Sequence, residues 1–192
     1  MATPLEIERK WMVSGWPEHC EDDMPEGSVR LPLLLTLDMA QGYVTTKPTV
    51  RIRSGKVLFS ADGVPEGEEK YILCFKSKSR DGGLSRKELE FPIPEERFRE
   101  LEEFIGLPLI HKVRRTYLLP DGKQLEVSHV DEGLPTEFWY AEIEYKSVSQ
   151  ASHWKAGAVS EALAAYLSDD VTEQPGQTMG AYWIATRLEN EK

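Results

Sequence analysis

Apolar and polar residues alternate along seven stretches of this 192-residue chain: Leu5–Val13, Tyr43–Arg53, Lys70–Lys78, Ser85–Ile93, Lys112–Leu119, Gln124–Val130 and Trp139–Val148. A period of two puts successive side chains on opposite faces of an extended backbone, so each stretch predicts a strand with one apolar face. Turn-rich pieces separate them, at 16–27, 60–67, 80–83 and 120–122. Two stretches have helical spacing instead. Pro94–Ile105 opens on Pro-Glu-Glu, sets Phe98, Leu101, Phe104 and Ile105 on one face, and meets Gly106 as a stop. Ser160–Leu167 has Ser160 as an N-cap and Leu163, Tyr166 and Leu167 as its stripe. Many strands in series with few helices predict an α+β, mainly antiparallel architecture.

One hairpin carries its own register. Leu119-Pro120-Asp121-Gly122 reads as a type I turn, with Gly122 at the left-handed position of a three-residue loop. That loop places Leu119 opposite Lys123, Thr116 opposite Glu126 and Arg114 opposite Ser128. Even-numbered residues of both strands then share a face, and Lys112, Arg114 and Glu126 meet on it.

The same parity sorts the other strands. Glu6, Glu8 and Lys10 share a face. So do Arg51 and Arg53, Lys76 and Lys78, then Arg86, Glu88 and Glu90, then Glu142 and Glu144. Val50, Ile52, Leu73, Phe75, Leu89, Phe91, Ile143 and Tyr145 take the opposite faces. An open sheet would leave those charges in water, and the first segment would also suit a helix with a Glu6–Lys10 pair. A sheet closed on itself, with helices packed outside over the apolar faces, would turn the charges inward. The matched composition favours closure, with glutamate pairs on some strands and arginines or lysines on others. A charged interior is costly unless the charges pair, bind metal or hold a charged ligand, so such an interior is a site.

Composition narrows the ligand. The formal net charge is -10, and no block of Lys and Arg offsets it. Nucleic acid and anionic membranes are therefore poor partners, and an anionic ligand needs a local cationic pocket. The longest apolar run, Leu31 to Leu37, contains Pro32 and is too short to span a bilayer. Cys20 and Cys74 fit no disulfide framework, and the opening Met1-Ala2-Thr3-Pro4 does not read as a signal peptide, so the expected compartment is the cytoplasm. The acidic run Glu18–Glu26 reads as a solvated loop.

Carboxylates two apart on a strand suit a hard divalent cation such as Mg²⁺ or Mn²⁺. Glu6 with Glu8 and Glu142 with Glu144 are the natural pairs. His19, His111, His129 and His153 are too scattered for zinc. Lys10, Arg51, Arg53, Lys76, Arg86, Lys112 and Arg114 together suit a row of phosphates. No glycine-rich phosphate loop accompanies them.

At this point the chain resembles a known family. Glu6-Ile7-Glu8-Arg9-Lys10 is similar to the Glu-x-Glu-x-Lys opening of the CYTH domain, the triphosphate tunnel metalloenzymes. The likeness continues in order through Gln41-Gly42-Tyr43, Val50-Arg51-Ile52-Arg53, Phe75-Lys76, Arg86-x-Glu88-x-Glu90, Lys112-x-Arg114-x-x-Tyr117, Leu125-Glu126-Val127 and Ala141-Glu142-Ile143-Glu144, and on to Asp170-Val171-Thr172. It resembles the bacterial-type inorganic triphosphatase branch most. The resemblance implies a closed eight-stranded antiparallel β-barrel forming a tunnel, as a single domain over 1–192. It also implies a metal-dependent triphosphatase that cleaves a triphosphate, inorganic triphosphate first, to orthophosphate and pyrophosphate. Carried over by position, Glu6, Glu8, Glu142 and Glu144 would hold Mg²⁺ or Mn²⁺. Lys10, Arg51, Arg53, Lys76, Arg86, Lys112 and Arg114 would hold the phosphates. Glu88, Glu90 and Glu126, with Lys76, would orient these cations or the attacking water. Family alternatives are an adenylyl cyclase, a thiamine- or nucleoside-triphosphatase, and a polyphosphate- or nucleotide-binding module without turnover. A structural barrel with internal ion pairs is the remaining reading, and monomer and homodimer both stay open.

Three features depart from the family. Ser128 stands where an acidic residue is usual, a longer stretch Leu31–Asp38 precedes Gln41, and Gln174–Ile184 lacks the usual Asn- and Tyr-containing ending. Asp131 lies off the inward parity. Tyr43 and Tyr117 are expected to pack rather than meet ligand, Trp11, Trp139 and Trp154 to anchor the core, Cys74 to fill buried space, and His129 to point outward.

Overall fold

The computed structural model describes residues 5–17, 31–78, 80–174 and 176–189. The acidic run Glu18–Glu26 and Cys20 lie outside the described residues. The strands are β1 (Leu5–Met12), β2 (Leu33–Thr46), β3 (Thr49–Ser60), β4 (Glu69–Lys76), β5 (Ser85–Pro92), β6 (Ile110–Leu118), β7 (Gln124–Val130), β8 (Phe138–Glu144) and a two-residue β9 (Asp169–Asp170). The helices are α1 (Glu95–Ile105), α2 (Val148–His153), α3 (Glu161–Tyr166) and α4 (Met179–Trp183), the last running on through a wider turn to Leu188. None of them is long and apolar enough to cross a membrane.

Eight antiparallel strands follow one another as β5-β4-β3-β2-β6-β7-β8-β1. The sheet closes where Leu5, Glu6 and Ile7 of β1 pair with Lys87, Arg86 and Ser85 of β5. Closure decides between the two architectures open to the alternating pattern, and β1 is a strand rather than a helix. The β6–β7 hairpin has the register its turn dictates: Arg114 faces Ser128 and Thr116 faces Glu126. Gly122 sits at φ +81 and donates its N–H to the Leu119 carbonyl at 2.9 Å.

The structure corrects three boundaries. Tyr43–Arg53 is not one strand but two, joined by a turn at Lys47–Pro48. The alternation runs straight through that tight turn, so periodicity alone does not reveal it. The apolar run before Gln41 is the first half of β2, whose leucines show no alternation because both faces of that segment are partly covered. The stretch Trp139–Val148 ends as a strand at Glu144, and Val148 begins α2, where the Ser147 Oγ accepts from the Gln150 N–H at 3.2 Å. The two helices expected from spacing are present as α1, stopped by Gly106 at φ +66, and α3, capped by Ser160.

Apolar side chains pack in three clusters, two of them outside the barrel wall and one at a barrel end. Ile7, Trp11, Leu125, Val127, Ala141 and Ile143 lie with Trp154, Leu163 and Leu167 beneath α2 and α3. Ile52 and Leu109 meet Phe98 of α1. Gly42 permits that helix to sit close, since a Cβ there would stand 2.5 Å from Leu109 Cδ2 and 3.2 Å from Ile105 Cδ1. The third cluster joins Tyr43, Ile110, Val130 and Tyr140 to Met179 and Trp183 of α4. This helix therefore covers the barrel end that carries the β2–β3 turn. The β6–β7 turn lies at the other end, because β2 and β6 run antiparallel with Leu33 opposite Tyr117 and Gln41 opposite Ile110.

A buried clasp holds α4 in place. Asp131, at φ +49 and 1% exposed in its side chain, accepts from Tyr182 Oη at 2.6 Å, Arg187 Nη2 at 2.6 Å and the His111 N–H at 3.1 Å. Its carboxylate is thus a fastener outside the tunnel, as its parity implies. Asp131→Ala leaves a buried guanidinium without its anion and is expected to lower unfolding free energy by about 3 kcal/mol, read by denaturant melts. A change below about 0.5 kcal/mol would show that the clasp does not hold the helix.

Candidate active site

The barrel encloses a cavity of about 1570 Å³. Every residue that the sequence assigns to metal, phosphate or orientation lines it: Glu6, Glu8 and Lys10 from β1, Arg51 and Arg53 from β3, Lys76 from β4, Arg86, Glu88 and Glu90 from β5, Lys112 and Arg114 from β6, Glu126 from β7, and Glu142 and Glu144 from β8. The pleat brings them together. Each strand sends one parity inward, and the other parity fills the outer clusters.

Most of the cations are held by carboxylates. Lys76 Nζ donates to Glu6 Oε1 at 2.6 Å and Oε2 at 2.8 Å, and lies 3.1 Å from Glu88 Oε1. Arg86 reaches Glu8 at 2.9 Å and Glu6 at 3.3 Å. Arg53 pairs with Glu90 at 3.0 Å, Arg114 with Glu126 at 2.7 Å, and Arg51 lies 3.5 Å from Glu88. Lys10 and Lys112 differ: among the described residues neither has a carboxylate within ion-pair distance. Lys10 donates to the Gln177 carbonyl at 2.8 Å, and Lys112 to Tyr140 Oη at 2.8 Å. Of the guanidinium groups lining the tunnel, Arg51 and Arg114 each have an Nε buried without an acceptor among the described residues.

These surroundings shift several protonation equilibria. Burial, followed by repulsion from Glu142 and Glu6, pushes Glu8 up to about 7. Burial, then Glu6 and Glu126, also raises Glu144. Burial lowers Lys10 against the pull of Glu142 and Glu8. It lowers Lys112 well below the usual lysine range, with Arg114 adding to the effect. For Glu88 the penalty of burial is outweighed by Lys76, Cys74 and Arg51, and its pKa falls. The tunnel thus holds crowded carboxylates on one wall and under-neutralised cations on the other.

The carboxylates of Glu6, Glu8, Glu142 and Glu144 do not converge on a point in this conformation, because Glu6 and Glu8 turn toward Lys76 and Arg86. The one group of three ligand atoms within 4.8 Å of each other among the described residues is Cys74, Glu88 and Glu90. The chemistry of the β1 and β8 donor set still fits a hard divalent ion. Glu8 and Glu144 are opposite each other in the register, Lys10 faces Glu142, and the elevated Glu8 pKa marks negative charge that a cation would relieve.

Some residues here were not singled out from sequence as site groups. Tyr43, expected to pack, does pack on Trp183, at 5.7 Å between ring centroids, yet also lines the cavity. Its Oη accepts from Gln41 Nε2 at 3.2 Å. Tyr117 is a core residue, as expected, and so is Cys74, fully buried and pushed up to about 11 by burial. Tyr140 lines the cavity without having been predicted, although its even number on β8 places it on the face of Glu142 and Glu144. Thr172, Gln177 and Gly180 close over the covered end. They come from a segment without alternation, so periodicity did not mark them, and only Thr172 falls in a stretch that carries the family resemblance, Asp170-Val171-Thr172.

No family model matches the chain, and no curated protein matches it. Solved structures do. The inorganic triphosphatase NE1496 aligns over 95% of this chain and 95% of its own, at 23% identity and a TM-score of 0.51. The PH1012 protein from Pyrococcus horikoshii aligns over 87% and 94%, at 18% identity and a TM-score of 0.56. An adenylyl cyclase homologue from Hippeastrum, described as having a dominant triphosphatase activity, aligns over 82% and 87%, at 18% identity and a TM-score of 0.50. This chain shares the fold of these neighbours. At such identities the likeness is one of architecture.

Proposed function

We propose that the tunnel binds and hydrolyses inorganic triphosphate in a reaction that depends on Mg²⁺ or Mn²⁺. The observation that carries the proposal is a set of under-satisfied cations among the described residues: Arg51 Nε and Arg114 Nε are buried without an acceptor, and Lys112 is bonded to the Tyr140 hydroxyl rather than to a carboxylate. Unpaired buried donors are costly, and a chain of phosphate oxygens would satisfy all of them at once. Two solved structures of the same fold, NE1496 and the Hippeastrum protein, are described as triphosphatases.

The residues divide the work by position. Lys10, Lys112 and Arg51 hold one terminal phosphate at the covered end. Lys76 and Arg86, joined through Glu6, would neutralise the negative charge that grows on the departing pyrophosphate. Glu88 anchors Lys76 and Arg51, and Glu90 and Glu126 anchor Arg53 and Arg114 toward the other end. Glu6, Glu8, Glu142 and Glu144 would hold the divalent ion, which polarises phosphate oxygens and lowers the pKa of a bound water. In the net reaction a water oxygen bonds to a terminal phosphorus, the bridging P–O bond breaks, and pyrophosphate leaves, while a carboxylate of this wall takes the water proton.

The lining favours inorganic triphosphate over a nucleotide. Beyond the phosphate row the open end presents Asp121, Lys123, Gln124, Lys146 and Gln150. Its one aromatic among the described residues, Tyr145, is 4% exposed and packs on Trp154, so none of these residues offers a ring to a base. A binding module without turnover is the second reading, favoured by Ser128, which puts a neutral hydroxyl on the wall between Arg114 and Tyr140. Phosphate release from inorganic triphosphate, ATP and thiamine triphosphate, each with Mg²⁺, Mn²⁺ or chelator, tests the proposal. Fastest release from inorganic triphosphate, abolished by chelator, is the expected result. Binding without release would move the protein to the second reading.

A further inference from the structure

We infer that Tyr140 is a positioning residue that fixes Lys112 at the covered end of the tunnel, so that this lysine and Lys10 form the seat for a terminal phosphate. The inference rests on the triphosphate reading of the cavity and adds a residue that the alternation places on the tunnel face but to which neither it nor the family pattern gives a role.

The argument starts from which cations have partners. Lys76, Arg51, Arg53, Arg86 and Arg114 are each near a glutamate, which holds the side chain and would compete with a ligand for it. Lys112 has no such carboxylate. It is 7% exposed, and its hydrogen bond goes to Tyr140 Oη at 2.8 Å. A phenol oxygen can accept from an ammonium without neutralising it. A long flexible side chain is thereby held in one orientation while its remaining donors stay free for phosphate oxygens.

The path of the tyrosine supports the same role. Tyr140 starts on β8, and Lys112 starts on β6, two strands away across β7. The β7 residue directly opposite Tyr140 is Ser128, fully buried and small. The ring crosses β7 at this position, and a longer side chain there would obstruct it. Lys10 Nζ lies 4.0 Å from the centroid of the same ring. One aromatic side chain therefore contacts both cations that lack a carboxylate, from below one and at the tip of the other. On the far side it packs in the cluster with Met179 and Trp183 that covers this end of the barrel. The departure at Ser128 and the tyrosine at 140 are then one arrangement: a neutral wall replaces an acidic one where an anion is to be seated.

The test compares wild type, Tyr140→Phe, Tyr140→Leu, Lys112→Ala and the Tyr140→Phe/Lys112→Ala double variant. Calorimetric affinity for inorganic triphosphate in chelator and KM with kcat in Mg²⁺ are both measured, with thermal melts as a control on folding. Tyr140→Phe keeps the ring under Lys10 and removes only the hydroxyl. It is expected to weaken triphosphate affinity and raise KM by about tenfold, with kcat within about threefold of wild type. The double variant should bind no more weakly than Lys112→Ala alone, because the hydroxyl acts through the lysine. Tyr140→Leu should weaken affinity further by loosening Lys10. An unchanged affinity in Tyr140→Phe, or additive losses in the double variant, would overturn the positioning role. A lower melting temperature with unchanged affinity would make Tyr140 a packing residue only. If wild type binds triphosphate without cleaving it, the affinity series still decides the role of Tyr140. If wild type neither binds nor cleaves it, the functional reading and this inference fall together.

Discussion

Glu8→Gln protein is expected to release phosphate from inorganic triphosphate at least about 100-fold more slowly than wild type in Mg²⁺. Loss of a residue that merely orients a metal ligand costs about 10–100-fold, and Glu8 is proposed as a ligand itself. The same substitution should stabilise the metal-free protein, and this makes the prediction specific. The Glu8 carboxyl is raised from 4.5 to about 7 by burial and by Glu142 and Glu6. The folded state therefore holds that proton more tightly than the unfolded chain does. This contribution to stability is complete below about pH 4.5 and is lost as pH rises through about 7. A glutamine cannot ionise and escapes the loss. At pH 8 in chelator, Glu8→Gln should exceed wild type by on the order of 2 kcal/mol. At pH 4.5 the two should be close. Adding Mg²⁺ at pH 8 should raise the melting temperature of wild type more than that of the variant. A variant that is less stable at pH 8 would mean that Glu8 is held mainly by Arg86 and is not part of a wall waiting for a cation.

The inward charges were legible because the pleat allows one outcome per strand. Once Ile7, Ile52 and Ile143 are placed against the outer core, Glu8, Arg51, Arg53, Glu142 and Glu144 must point the other way. The register of β6 against β7 was legible because Pro120-Asp121-Gly122 admits few backbone paths. Closure came from an energetic argument about buried charge, and the β1–β5 pairing agrees with it. What stayed hidden depends on contacts distant in sequence. The turn at Lys47–Pro48 interrupts no alternation. The first half of β2 carries leucines on both faces, since it has partly buried positions on both. Tyr140 has the parity of a tunnel residue, yet an aromatic on a strand reads as core. Its value to the site comes from Lys10 and Lys112, which lie 130 and 28 positions away along the chain and meet it only after the barrel closes. The clasp at Asp131 likewise needs Arg187 and Tyr182 brought back across the barrel end.

Arg51→Ala is expected to weaken triphosphate binding by roughly 100-fold, with little loss of stability. The side chain is 12% exposed, and its Nε has no acceptor among the described residues. Two charge-assisted hydrogen bonds to phosphate, at about 1.5–3 kcal/mol each, account for a loss of that size. Stability should survive, because Glu88 keeps Lys76 at 3.1 Å when Arg51 is gone, so no buried carboxylate is stranded. Arg51→Lys separates charge from geometry. It restores a cation but not the planar fork, and affinity should recover only part way, to about tenfold below wild type. Calorimetry with inorganic triphosphate in chelator reads both effects without interference from turnover. Affinities within threefold of wild type for Arg51→Ala would mean that the unpaired Nε is satisfied by water and that the phosphate row lies elsewhere in the cavity. Full recovery in Arg51→Lys would mean that the tunnel senses only net positive charge. In that case its selectivity would have to come from the length of the row, from the seat at Lys10 and Lys112 to the Arg114–Glu126 pair, rather than from any single fork.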